Sequence, residues 1–402
     1  MLRQLLVFAS LLLFSATSSY CQEVLHDSVY NSQKDIIDVF YDLTGKQDSR
    51  TVTDSLAIKR LHFSAVPAVG YTLQTGFAGI ISSNLGFYAD KTSSYKTNVS
   101  NINASITYSQ RHQVILPVLT NIWTRNNLYN VIGDWKYIKY PSYTYGLGGH
   151  TTPQDEYTID FSAVKLHQGV LRKLYGSLYA GIGYSLDYFW DIHEIDPPSI
   201  GSDFENYGLT NTSISSGITF HVLYDDRKNP IKPESGNFAS VTFRNNAKAL
   251  GSDNNWQSLQ IDARKYIPFP ATTKNVLAFW TYDWFTTNGT PPYLMLPSTG
   301  NDPASNLGRG YIQGRYRSSN LLYLESEYRF SITSNGLLGG VVFANLQSVS
   351  EMNNGNYQLL APGYGAGLRI KTNKFSRTNL CIDYALGRDG SRGFFVNLGE
   401  VF

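Results

Sequence analysis

The sequence predicts an all-β protein, an antiparallel transmembrane β-barrel of about 16 strands (about 12 to 16 fit the pattern) preceded by one short N-terminal amphipathic helix. Polar and apolar residues alternate almost everywhere after Arg60, which is the period of a strand with two different faces. The chain is rich in aromatic residues, with 29 Tyr, 21 Phe and 6 Trp, as expected for the interface girdles of membrane barrels. Beyond the N-terminal leader, no run of about eighteen apolar residues could form a membrane-spanning helix.

Residues 1–21 are interpreted as a cleaved secretory signal peptide. Arg3 supplies the positive start, Leu5 to Phe14 form an apolar run, and small and polar residues follow up to Cys21. The alternative is a lipoprotein processed at Cys21, which Tyr20 disfavours because a small residue is expected before a lipidated cysteine. If Cys21 leaves with the signal, Cys381 is the single thiol of the mature chain, which can then form no internal disulfide.

Residues 22–59 are predicted to form an N-terminal periplasmic or plug segment with one short helix. Ser32 and Asp35 have the spacing of a capping box, and Gly45 lies where a helix would end. Between them, apolar residues recur at helical spacing: Ile36, Ile37, Val39, Phe40 and Leu43. Such an apolar face needs a partner, and the sequence leaves three open: the mouth of the barrel, its lumen, or another protein.

Residues 60–402 are predicted to form the barrel. The segment 175–190 places Leu178, Ala180, Ile182, Tyr184, Leu186 and Tyr188 on one face and glycines with polar residues on the other. Two further segments repeat the pattern, with outward faces predicted to be Ile218, Phe220, Val222 and Tyr224, and Val276, Ala278, Trp280, Tyr282 and Trp284. No linker or change in composition divides this region, which favours one closed barrel over several soluble domains.

The final strand of the sequence alternates and ends on an aromatic residue. Phe394, Val396 and Leu398 lie on one predicted lipid-facing side, and Phe402 closes the strand. Bacterial outer-membrane barrels typically end in this way.

A tight turn is predicted where Pro and Gly residues punctuate two alternating segments. Its key residues are Asp225, Arg227, Asn229, Pro233 and Gly236. The spacing D-x-R-x-N-x-x-x-P-x-x-G resembles a periplasmic turn of the bacterial outer-membrane assembly and surface-antigen superfamily, which includes BamA, TamA and the two-partner secretion transporters.

A second motif with the same resemblance follows about seventy residues later. Arg309, Gly310 and Tyr311, followed by Gly314 and Arg315, are similar to the VRGF or VRGY signature of that superfamily, with Gly308 in place of the usual Val. The resemblance implies that residues 289–317 form a loop folded into the lumen. An arginine inside a barrel needs carboxylate or carbonyl partners, and glycines allow the loop to turn sharply.

Partners for this arginine are predicted on the next strand. Glu325 and Glu327 share a face with Tyr323 and Arg329, so both carboxylates should point into the lumen, and one of them is expected to accept from the arginine. The resemblance implies an aspartate on the following strand, where this chain has Asn345. Asp383 is predicted to substitute for it.

The resemblance implies an integral outer-membrane barrel of a Gram-negative bacterium that assists insertion or translocation of protein, with client barrels or envelope-complex subunits and outer-membrane lipid, including lipopolysaccharide, as partners. Residues 22–59 are too short for the periplasmic repeat domains of the superfamily, which indicates a barrel-only branch. The alternative is an accessory or passive barrel. With 33 basic and 31 acidic residues the charge gives no reason to expect nucleic acid, and no catalytic or metal motif is found, so no enzyme activity and no cofactor are expected.

Overall fold

A computed structural model of the chain describes residues 33–45, 61–89, 97–98, 100–227, 229–357, 359–374 and 377–402, without the side chains of 61–68. The predicted signal peptide and most of the segment 22–59 lie outside these residues. Within the described part of the chain, no helix is both long and apolar enough to cross a membrane.

The predicted N-terminal helix is present as α1, Ile36–Thr44, and it ends at Gly45 in the left-handed region at φ 67°. Its capping box differs from the predicted one. Asp35 is the N-cap and exchanges hydrogen bonds with Asp38, because these two side chains reach each other's backbone N–H groups at 2.8–2.9 Å. A second helix, α2, spans Asp203–Gly208.

The strands alternate with turns and loops, some of which contain a short 3-10 helix. In chain order they are β1 Leu61–Thr72, β2 Gly76–Phe87, β3 Ser100–Ser109, β4 Val114–Trp123, β5 Tyr129–Lys139, β6 Ser142–Thr144, β7 Tyr157–Tyr175, β8 Leu178–Ile195, β9 Ser213–Asp225, β10 Gly236–Asn246, β11 Trp256–Pro268, β12 Val276–Gly289, β13 Asn320–Ser331, β14 Leu338–Val349, β15 Ala361–Asn373, β16 Thr378–Leu386 and β17 Arg392–Leu398.

Neighbouring strands pair antiparallel in chain order around one sheet. β5 and the short β6 both pair with β7, so the seventeen segments occupy sixteen positions and the predicted barrel is confirmed. β1 and β17 contact each other, but no hydrogen-bonded ladder joins them among the described strands. The barrel therefore closes except at this seam.

The two ends of the barrel differ. One end carries short connections, including the turn from Asp225 to Gly236, and is called the turn end. The other carries the longer loops, among them residues 140–156, 196–212 and 290–319, and is called the loop end. Helix α1 lies at the turn end, where the backbone N–H of Lys34 donates to the carbonyl of Asn335 at 3.0 Å.

Most outward faces are as predicted. Ile182, Phe220 and Val222 are among the exposed apolar side chains of the outer surface. The predicted orientation of β12 is wrong. Trp280, Tyr282 and their neighbours on that face are buried and point into the lumen, because the lumen beside β12 is filled by apolar residues of the loop 290–319 instead of water.

Candidate functional site

The loop between β12 and β13, residues 290–319, folds back into the lumen and is called the plug loop. Most of its side chains are buried, and Leu307, Tyr311 and Tyr316 belong to the same apolar cluster as Trp280 of the barrel wall. Its sequence thus supplies an apolar surface that a water-filled lumen would not stabilise. The resemblance implies an inward loop at residues 289–317, and in the structure the segment folded into the lumen is 290–319.

Two glycines shape the tip of the plug loop. Gly308 and Gly310 have φ values of 87° and 104°, a region that favours glycine. A Cβ on Gly310 would lie 2.8 Å from the carbonyl oxygen of Leu386 on β16, so the backbone also approaches the wall too closely for a side chain. The tip can therefore press Arg309, between the two glycines, against strands β13 to β16.

Arg309 is 1 % exposed, and its guanidinium contacts three carboxylates. Nη1 donates to Asp383 at 2.6 Å, and Nη2 donates to Glu325 and Glu327. The guanidinium carbon lies 3.7 Å from the centre of the Phe343 ring, which adds a cation–π contact. Both predicted carboxylates and the predicted substitute therefore surround the arginine of the motif.

These groups belong to a larger arginine–carboxylate network at the wall of β13–β16. Its members are Arg309, Glu325, Glu327, Arg329, Arg369, Asp383 and Glu400. Three cations thus face four carboxylates, all buried from solvent. Buried charges of this kind are tolerated because they are paired and hydrogen-bonded.

Glu400 extends the network to the end of the chain. It accepts from Arg369 Nε at 2.9 Å and from Asn379 Nδ2 at 2.7 Å. Burial alone would raise the pKa of Glu400, but the guanidinium groups of Arg329 and Arg369 hold the pKa of its carboxyl below the usual range. The carboxylate form is therefore the one that this site stabilises.

Phe402 differs from its predicted position on the lipid-facing side. β17 ends at Leu398, and the chain turns inward, where the Phe402 ring lies 5.2 Å from that of Trp280 and its carbonyl accepts from Arg329 at 2.9 Å. Burial against an aromatic wall and a cationic donor explains the inward turn. Phe394 and Leu398 are exposed on the outer face, and Val396, between them in the alternation, is partly exposed.

Asn345 has a different task from the aspartate that the resemblance implies. Its Nδ2 donates to the backbone carbonyl of Arg309 at 2.9 Å. An aspartate could not make this contact, because an ionised carboxylate has no hydrogen to donate. Here the amide fixes the main chain of the plug loop while Asp383, on the other side, binds the guanidinium.

The remaining motif residues attach the plug loop to the loop end. Tyr311 donates through its hydroxyl to the carbonyl of Pro362 at 2.6 Å. Arg315 donates to Thr151 at 2.8 and 2.9 Å, and Gly314 approaches Tyr143 so closely that a Cβ would lie 2.5 Å from its carbonyl oxygen. The plug loop is thus held between β13–β16 and the loop 140–156 across the lumen.

The turn motif is a structural device at the turn end. Arg227 forms a bidentate pair with Asp225, both contacts at 2.9 Å, and its guanidinium lies 4.4 Å from the Phe238 ring centre. Asn229 accepts backbone N–H groups that follow it, at 2.8 and 3.2 Å. Pro233 is buried and Gly236 has φ 106°, so each motif position has a backbone or packing role.

The seam between β1 and β17 has one close contact at the loop end. A Cβ on Gly393 of β17 would collide with the side chain of Leu73, which follows β1. The shortest strand of the last four, β17, has 7 residues. Among the described residues, the seam thus shows side-chain packing at the loop end and no backbone ladder.

Sequence reasoning assigned no role to Arg329, Arg369 or Glu400. One signal could have identified Arg369, because it shares its strand face with Gly363, Gly365 and Gly367, which leave room in the lumen for a long side chain. Among the described residues, no group of three or more His, Cys, Asp or Glu is arranged to hold a metal ion.

Comparison with known proteins gives one family and several similar folds. Residues 69–402 match the model of the Omp85 superfamily domain. BamA from Haemophilus ducreyi lacking POTRA domains 1-3 has a similar fold, with a TM-score of 0.53, 14% identity, and coverage of 84% of this chain and 69% of that one. CdiB from Acinetobacter baumannii has a similar fold, with a TM-score of 0.53 and 12% identity, over 85% of this chain and 60% of that one. CdiB from Escherichia coli also has a similar fold, with a TM-score of 0.55 and 11% identity, over 85% of this chain and 62% of that one. This chain therefore spans less than two thirds of the length of either CdiB. A search of curated sequences gives no match.

Proposed function

Because the chain belongs to the Omp85 superfamily, we propose that it is an integral outer-membrane barrel that assists the insertion or translocation of protein. The single observation that carries this proposal is the seam, where β1 and β17 meet without a backbone ladder. Unpaired N–H and C=O groups on such edges are a template for another strand. The clients are outer-membrane barrels or surface proteins, and the lipid around the barrel includes lipopolysaccharide.

The plug loop supports the same proposal. It fills the lumen and is held by the arginine–carboxylate network, so a client strand that pairs at the seam would not leave an open channel behind it. The network also includes Glu400, just beyond β17, which connects the plug to the seam strand. The proposal includes no catalysis and no cofactor.

The test is quantitative proteomics of outer membranes from cells with and without the gene, combined with a disulfide across the seam, which is called the seam lock. Cysteines at Leu73 and Gly393 would lie side by side across the seam, since the Gly393 Cβ direction points at Leu73. Removing the bulky leucine gives the new side chain room. We expect deletion to deplete specific outer-membrane proteins, the oxidised lock to reproduce that depletion, and reductant to reverse it.

The control is the Leu73→Cys single variant, which has the same lost packing and no cross-link. Normal outer membranes in cells that carry only the oxidised lock would contradict assembly through the seam. An unchanged proteome after deletion would contradict the proposed function altogether.

A second candidate, an accessory barrel in an envelope complex, is favoured by α1. Its N-terminal acidic residues bind the barrel, whereas Ile36, Phe40 and Leu43 are 41%, 56% and 81% exposed on the opposite side. Of the three partners that the sequence leaves open for this apolar face, the barrel does not cover these three side chains in the structure. Purification of the intact chain from outer membranes, with and without Phe40→Ser, would test whether a subunit is retained through this face.

A further inference from the structure

A pocket of about 350 Å³ opens at the turn end of the barrel, below the arginine–carboxylate network. Its volume is at the lower end of the range for ligand sites. Outside the network, the charged side chains that line it are four cations and one carboxylate: Lys232, Lys274, Lys371, Arg377 and Glu234. The pocket is therefore strongly basic.

Two of these cations form no ion pair with any described residue. In the described part of the chain, neither Lys232 nor Lys274 has a carboxylate within 4.0 Å or a side-chain hydrogen bond, whereas Arg377 lies 3.3 Å from Glu234. An isolated surface lysine needs no partner, but two unpaired lysines on the rim of one pocket raise its positive potential. Such a potential attracts an anionic ligand.

The interior of the pocket shows the same imbalance. Lys371 is 4% exposed, and its ammonium donates to the neutral amide oxygen of Gln33 at 2.7 Å, with no carboxylate in range among the described residues. Arg329, also in the lining, has a buried Nη1 without a hydrogen-bond partner. A buried cation is stable only when paired or hydrogen-bonded, so both groups favour additional anionic oxygens in the pocket.

The chain itself shows what kind of ligand the rim accepts. Beside Gln33, Asp35 accepts the backbone N–H of Lys374 at 2.9 Å, and Asp38 accepts from its ammonium at 2.8 Å. A piece of polypeptide thus already lies beside this rim, with the amide oxygen of Gln33 on Lys371 and the carboxylate of Asp38 on Lys374. Lys232 and Lys274, which form no ion pair with a described residue, continue the same basic surface on the far side of the pocket.

We propose that this pocket binds the carboxylates of an acidic polypeptide segment that approaches the turn end of the barrel. The inference rests on the proposed function only in taking a polypeptide as the ligand. Binding is electrostatic, so it weakens as ionic strength rises.

The test uses the full-length barrel in zwitterionic micelles and a fluorescent peptide with Glu at alternate positions, followed by fluorescence anisotropy. We expect the double variant Lys232→Gln/Lys274→Gln to bind this peptide about tenfold more weakly, the effect of losing two partly exposed charge pairs. The matched control is Lys139→Gln/Lys248→Gln, which removes the same charge from exposed lysines at the loop end. The control should bind like the parent protein.

Parent-like affinity of the pocket variant, or equal weakening in the control, would overturn the proposal. So would equal binding of a peptide in which every Glu is replaced by Gln. Inorganic pyrophosphate is the competing probe, and tighter binding of pyrophosphate than of the acidic peptide would also overturn it in favour of a phosphate site. Heat-shifted gel mobility verifies that each variant is folded.

The outer-membrane proteome keeps this test separate from the proposed function. If peptide binding fails the test while deletion still depletes outer-membrane proteins, the pocket proposal falls and the assembly role stands. If deletion has no effect but the lysine-dependent binding is measured, the pocket proposal stands and the assembly role falls.

Discussion

Removing Arg309 is the sharpest test of the plug. Arg309→Ala deletes the contacts to Glu325, Glu327 and Asp383 and leaves four buried carboxylates facing two guanidinium groups. Breaking a buried ion pair by removing one partner costs about 3–5 kcal/mol. Because every 1.4 kcal/mol is a factor of about ten, the ratio of undocked to docked plug should rise by about two to three and a half orders of magnitude. The strand ladders do not involve this side chain.

The assay is single-channel conductance of the purified barrel in planar bilayers, together with heat-shifted gel mobility. We expect larger and more frequent openings and unfolding at lower temperature. Arg388→Ala is the matched control, because this loop-end arginine has a side chain that is 53% exposed. Adding Glu325→Gln to Arg309→Ala should recover part of the loss, since it removes one uncompensated carboxylate. Unchanged conductance and unchanged unfolding temperature in Arg309→Ala would refute the reasoning.

Three further substitutions test individual features by the urea midpoint of barrel unfolding. Gly310→Ala should lower the free energy of unfolding by about 1–3 kcal/mol more than Gly390→Ala, because both have positive φ but only Gly310 faces a backbone oxygen at 2.8 Å, and equal effects would contradict this. Phe402→Ala should lower the free energy of unfolding by about 3 kcal/mol, and Phe394→Ala by less, because the Phe394 ring is 51% exposed on the outer face. A larger effect of Phe394→Ala would indicate that Phe402 is the ring on the outer face. Arg227→Lys should cost about 1 kcal/mol through loss of the bidentate pair, and a neutral result would remove that pair from the turn's stability.

The sequence was sufficient for the barrel and for two carboxylate partners of Arg309, because both follow from local patterns. Alternation determines strand faces, and Glu325 and Glu327 share a face by simple period. The sequence was insufficient for β12, where Trp280 faces inward. Alternation shows which residues share a side of a strand but not which side faces the lumen. Here the plug loop makes the lumen side apolar, so polarity does not distinguish the two sides.

The role of Asn345 could not be predicted for a related reason. The resemblance implies a side-chain partner of the guanidinium at this position, but the amide of Asn345 binds the backbone carbonyl of Arg309. Whether residue 345 or Asp383 binds the guanidinium depends on the distance from Asp383 to Arg309. Asp383 lies two strands away from Asn345, so this distance is a property of the closed barrel. The inward turn of Phe402 is likewise set by Trp280 and Arg329, which are far from it in sequence.

The arginine–carboxylate network connects the plug loop to the C-terminal segment beside the seam. Arg309 on the plug binds Asp383, Asp383 binds Arg369 at 2.5 Å, and Arg369 binds Glu400. Glu400 lies two residues beyond the end of β17, the strand that forms one side of the seam. Movement of the C-terminal segment away from this wall would therefore break the Arg369–Glu400 pair, which is joined through Asp383 to the pair that holds the plug. Since a buried carboxylate without its partner is costly, we expect displacement of Glu400 to weaken the contacts that hold the plug.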